Sequence, residues 1–160
     1  MIREISFTQR RKAAKTLLAP LRFNFAALRE TLLLKMKIFT VQEANALLPE
    51  VRVIAGKIQR AHRQLSQYRD EAKKAAEAAE QGGGGMAEGI AYATVVTQLT
   101  TQLSELEALG VQLKDFERGL VDFPSLRDGR VVLLCWQLGE GDELEWWHDV
   151  DAGFAGRTPL

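Results

Sequence analysis

From Leu47 to Ala79 the apolar and small residues fall at steps that alternate between four and three: Leu47, Val51, Ile54, Ile58, Ala61, Leu65, Tyr68, Ala72, Ala75, Ala79. A heptad seam held this long keeps one stripe on one side of a helix, and a stripe must be covered by another element. The start is marked by Thr40-Val41-Gln42-Glu43, which has the form of a capping box. Pro49 stands too far along for the first turn. It is expected either to kink the helix after Leu48 or to open a longer segment, residues 49–80, at its own first turn. Gln81 and the four glycines after it stop the helix, because glycine loses too much backbone freedom to continue it. The seam resumes at Tyr92, Val96, Leu99, Leu103 and Leu106 and ends at Gly110, with Val111 placed for the apolar contact of a glycine C-cap. An antiparallel helical hairpin over residues 40–110 follows.

The two arms are unequal. At about 1.5 Å per residue, residues 49–80 would span about 45 Å and residues 88–109 about 33 Å. The end holding Leu47, Leu48, Val51 and Ile54 therefore overshoots its partner and needs a cover, either the C-terminal fifty residues or a second chain. A seam between two helices is a thin core, which favours a homodimer. Arg52, Lys57, Arg60, Arg63 and Arg69 lie off the seam, and without interleaved aromatics they fit a solvated face better than a nucleic-acid surface.

After Gly110 the period changes. Residues 111–114 and 119–123 read as short strands, the second ending at Pro124, and Asp128-Gly129 is a hairpin turn. The run 130–138 (RVVLLCWQL) is apolar on both faces, so both must be covered. Residues 143–150 return as its partner. Neither glycine-rich segment is a phosphate loop: the run at 82–85 follows no strand and has no Gly-Lys-Ser/Thr after it, and Gly139-Glu140-Gly141 leads into a hairpin.

Together these give an α+β fold, a long antiparallel coiled-coil-like two-helix hairpin with a small C-terminal antiparallel sheet (residues 111–160) docked at one end. At 160 residues the chain suits one domain, expected over 36–160. Its 21 basic and 21 acidic side chains are unevenly spread, since residues 1–35 hold eight Lys/Arg and two acids and the rest carries the opposite excess of acid. An acidic body disfavours nucleic acid as a partner. The basic extension is expected to lie outside the fold, with Met36 a natural start; a targeting segment and a packed helix are the alternatives. No run approaches a membrane span. The single cysteine, Cys135, sits in the apolar run, where a thiol acts as a small hydrophobe, and suits a reducing cytoplasm.

Four stretches carry a resemblance: FTVQEANALLP at 39–49, LGVQLKD at 109–115 with GLVDFP at 119–124, LCW at 134–136, and WHDVDAGFAGR at 147–157. Over about residues 38–160 the chain resembles the bacterial domain-of-unknown-function family 2203. That resemblance implies a cytoplasmic bacterial protein and supplies no activity.

The last motif holds the candidate site. On a strand His148 and Asp149 point apart, so His-Asp-Val-Asp is no ready-made cluster, and Asp149-x-Asp151-x-Gly153 lacks the further ligands of a calcium loop. A divalent metal on His148, Asp149 and Asp151 would need Asp122, Asp115, Glu117 or Glu43 in support. The plainer reading has His148 bonded to a carboxylate or carbonyl in the sheet. Arg157 is expected to pair with Asp151 or Asp149, or else to hold an anion. Trp136, Trp146 and Trp147 are core material first, though Trp146 and Trp147 cannot both face inward. Ser125 and Cys135 have no motif that places a base beside them. The leading expectation is a non-enzymatic binding or assembly module acting through the hairpin and an aromatic patch that includes Trp147. The alternative is a metal or anion site at His148, Asp149, Asp151 and Arg157 with Asp115, Asp122 and Glu43, catalysis left open. The weakest is nucleic-acid binding.

Overall fold

The structure is a computed structural model that describes residues 36–83 and 85–160. Residues Met36–Leu160 form one compact unit; the expectations for 1–35 lie outside the described residues. The fold is α+β, with three helices followed by a five-stranded antiparallel sheet. Among the described residues no helix is long and apolar enough to cross a membrane.

Helix α1, Val41–Gln67, starts where the capping box places it. Thr40 N–H donates to Glu43 Oε2 at 2.8 Å and Glu43 N–H to Thr40 Oγ1 at 3.2 Å. Pro49 lies inside this helix and neither ends nor begins it. Its ring forfeits one backbone bond. Buried residues on both sides, Ala44 and Leu48 before it and Val51, Ile54, Ala55 and Ile58 after it, hold one continuous face against the core. The interruption comes instead at Tyr68, whose backbone (φ −87°, ψ −3°) sits at the edge of the right-handed helical region. There the ring meets Tyr92 edge-on at 6.0 Å. Helix α2 then runs Arg69–Ala79, and α3 runs Gly89–Ala108.

Gly110 ends α3 in the way its position predicts. At φ +85° its N–H donates to the Glu107 carbonyl at 2.9 Å, and Val111 N–H donates to the Leu106 carbonyl at 3.2 Å. Those two bonds are the Schellman pair, and the buried Val111 and Leu106 supply its apolar contact.

The strands are β1 Gln112–Asp115, β2 Leu120–Arg127, β3 Arg130–Gln137, β4 Trp146–Asp149 and β5 Thr158–Pro159, each paired with the next. Two differ from expectation. Strand β2 continues through Pro124 to Arg127. The Pro124 carbonyl accepts from Phe39 N–H at 2.7 Å, on the side away from β3, so the missing proline N–H costs no bond to β3. Strand β4 is short because the residues before it are pinned to α1. Leu144 N–H donates to Asn45 Oδ1, and Arg52 donates to the Gly141 carbonyl while pairing with Asp142 at 2.9 Å. The terminal strand β5 was not expected.

One apolar cluster joins Phe39, Leu48, Val51, Ile54 and Ile58 to Leu106, Val111, Val121, Phe123, Leu134, Trp136 and Leu144. The overshooting end of α1 is therefore covered by the C-terminal strands of the same chain. Beyond Ala61 the seam is only half-buried, and α2 has no buried residue.

Replacing Gly110 by Ala puts a side chain in the left-handed region with its Cβ 2.7 Å from Lys37 Cβ. We expect a loss of about 1 kcal/mol or more in chemical denaturation. Asp115 is held below its ordinary value by the amides of Arg118 and Glu117, which donate to Oδ1 at 3.0 and 2.8 Å. A depressed carboxylate stabilises fully above its unfolded pKa, 3.8 here, and the contribution disappears as pH falls through the lower folded value. The gap in melting temperature between wild type and Asp115→Asn should therefore narrow from about pH 6 to about pH 3.

Candidate functional site

Strand alternation and register sort the sheet residues onto two faces. Val121, Phe123, Leu134 and Trp136 join the helices in the core. The opposite face carries Asp122 beside Cys135 and, one row on, Leu133 beside His148. Asp122 is 1% exposed, Cys135 0% and His148 3%. A carboxylate, a thiol and an imidazole thus share a site from which water is excluded, and a ligand atom of each lies within 4.8 Å of the others.

The proton arrangement follows from the partners. His148 Nδ1 stands 2.9 Å from the Asp149 carbonyl oxygen, which can only accept, so Nδ1 carries the hydrogen. That leaves Nε2 facing Asp122 Oδ2 at 3.4 Å. A charge-assisted hydrogen bond would draw those atoms to about 2.8 Å. Two ligand atoms on one tetrahedral ion, each about 2.0–2.1 Å from it, stand about 3.3–3.4 Å apart, which is the spacing found. Asp122 Oδ1 is buried with no hydrogen-bond partner among the described residues. Among the described residues the nearest Lys or Arg is Lys114, whose Nζ lies 3.7 Å from Asp122 Oδ2 and whose side chain is 38% exposed. Burial, reinforced by the Asp122 charge, pushes the Cys135 thiol up to about 12. Without a cation the sulfur stays protonated, whereas a bound metal would take it as thiolate.

A Cys-His-Asp nucleophile would need its carboxylate on the nitrogen remote from sulfur, orienting the ring. Here a backbone carbonyl occupies Nδ1, Asp122 faces Nε2, and the sulfur is fully enclosed. The arrangement suits ligation.

The other candidates lie elsewhere. Asp149 is exposed and pairs with Arg130 at 3.5 Å, and Asp151 is exposed in the following turn. Glu43 serves the α1 cap, whose Thr40 amide lowers its pKa. Asp115 closes the β1–β2 turn, and Glu117 in that turn is exposed, its carbonyl accepting from Gln59. Trp147 lies on the helix side, its indole N–H donating to the Pro159 carbonyl with Arg127 over its ring. Arg157 binds neither Asp151 nor Asp149. It forks onto Glu140, with Nη1 to Oε1 at 2.6 Å and Nη2 to Oε2 at 2.8 Å. Glu140 wins because the tail crosses the outer face beside the β3–β4 turn, whereas Asp149 has already turned to Arg130.

Of the expected metal set, His148 and Asp122 come together and Asp149 and Asp151 do not. Cys135 completes the group and was missed because an apolar neighbourhood hid its partners. Counting across the Asp128-Gly129 turn would have found it: Arg127 faces Arg130, so Asp122 must face Cys135.

No curated protein and no solved structure matches this chain. One family model does, described as an uncharacterized conserved protein, and it covers residues 37–160, which include the sheet, both its faces and the buried residues Asp122, Cys135 and His148. The chain belongs to the DUF2203 family of uncharacterized conserved proteins.

Proposed function

We propose that the protein is a metal-binding protein of a reducing, cytoplasmic compartment, holding one thiophilic divalent ion of the zinc class on Asp122, Cys135 and His148. The observation that carries this reading is the 3.4 Å separation of His148 Nε2 from Asp122 Oδ2 with the ring hydrogen committed to Nδ1. Nitrogen, sulfur and one carboxylate favour zinc or cobalt over magnesium or calcium, which want oxygen. The Nδ1–H bond to a carbonyl is the orienting contact that metal-bound histidines use. Lys114 competes for Asp122 while the metal is away and is exposed enough to swing aside.

Purified protein should take up Zn2+ or Co2+ at one equivalent, and the cobalt form should show a thiolate charge-transfer band. Zinc at about 100 times its Kd should raise stability by about 2.7 kcal/mol. Cys135→Ser, Asp122→Asn and His148→Ala should each lose the ion, while Asp149→Asn and Asp151→Asn keep it. Failure of the wild type to bind either ion, or a Cys135→Ser variant that binds as tightly, would refute the assignment.

A second reading concerns assembly. Ile90 is 88% exposed at the start of α3, and α2 buries nothing. We propose that α1 and α3 pair as an antiparallel coiled-coil-like hairpin whose far end meets a second copy in a homodimer. Light scattering should give twice the chain mass, and Ile90→Lys should return it to one.

A further inference from the structure

The three ligands are 0–3% exposed, so an ion enters or leaves only when something moves. Strand β2 is tied to β3 through eight residue pairs, and β3 to β4 through four. The tail is held less firmly. Strand β5 makes two pairs with β4, Leu160 N–H reaches the Glu145 carbonyl, the Trp147 indole N–H reaches the Pro159 carbonyl at 3.2 Å, and Arg118 lies over the Phe154 ring at 5.2 Å; the charged anchor on the outer face is Arg157. Its guanidinium forks onto Glu140, touches the Cys135 carbonyl oxygen at 3.4 Å, and lies between the rings of Phe154 at 4.7 Å and Trp146 at 5.2 Å. Trp146 is the cross-strand neighbour of Cys135 on the same face. The charge of Arg157 reaches both Cys135 and Asp122. The chain approaches this clamp through Gly153 (φ 61°, ψ −165°), a backbone region open to glycine and closed to other residues. Glu140 is held in turn by Gln137 N–H at 3.0 Å.

Building on the metal assignment above, we propose that the Arg157 and Glu140 fork is a latch, and that its opening swings the tail off the outer face and admits the ion to Asp122, Cys135 and His148. The latch governs how fast the site exchanges, not which ion it prefers. Because the same fork closes over the loaded and the metal-free site, loosening it speeds entry and departure alike.

Cys135 is the chain's single cysteine, so its alkylation by iodoacetamide reports opening with no metal present. Glu140→Gln and Arg157→Lys should each alkylate about tenfold to a hundredfold faster than wild type, the range expected when a charged hydrogen bond is weakened. The accelerated rate should stay flat in low urea, as a local opening does. A rate that climbs with urea in step with global unfolding overturns the latch, as do rates equal to wild type in both variants. From zinc-loaded protein, a chelator should capture the ion faster in both variants by a similar factor, with Kd moving less than either rate. If wild type takes up no zinc while both variants alkylate faster, the metal assignment falls and the latch stands as the gate to the thiol. If zinc binds and the alkylation rates do not change, the metal assignment stands and the latch falls.

Discussion

Strand β3 has no polar face. Between Val132 and Trp136 every side chain is buried, so the sheet needs a cover on each side. On one side α1 supplies it, entering through Phe39 and the capped turn at Thr40 and carrying Leu48, Val51, Ile54 and Ile58 onto Phe123, Leu134 and Trp136. On the other side, among the described residues, the tail lies over the sheet with a three-residue helical turn and one arginine. Polar groups are trapped beneath it, and a buried polar group without a partner is costly, which is why Asp122, Cys135 and His148 are the informative residues of this chain.

The parts of the fold written in periodicity were legible. The Thr40 cap, the glycine stop at Gly110 and the Asp128-Gly129 turn all depend on residues within a few positions of each other, and the structure keeps them; the seam is a buried face only as far as Ala61. What was misread depends on partners far along the chain. Pro49 reads locally as a kink or as the start of a new helix, and the second does not occur, because a face buried on both sides of it carries one helix through. Pro124 reads as a strand end, yet its free side is turned to Phe39, eighty-five residues earlier. The shortening of β4 comes from Asn45 and Arg52 on α1 reaching across to the loop before it.

The site divides in the same way. Parity alone separates His148 from Asp149, and the structure places one inside and the other in solvent. The facing of Asp122 and Cys135 was available from a two-residue turn, whose register admits no slack. The row that brings His148 beside them was not, because the connection from β3 to β4 is long and its length says nothing about register. Arg157 shows the limit of arguing from proximity in sequence: two aspartates stand within eight positions of it, and it takes a glutamate seventeen positions away.

The far half of the helical arm has a different standing from the rest of the molecule. Among the described residues, nothing past Ala61 on α1 and before Leu106 on α3 is fully enclosed. Removing or adding one heptad on each rod would keep the stripes in phase and leave the sheet untouched. The reach of the arm is thus set apart from the enclosed cluster at its base, and a change of seven residues in each rod alters the one without touching the other.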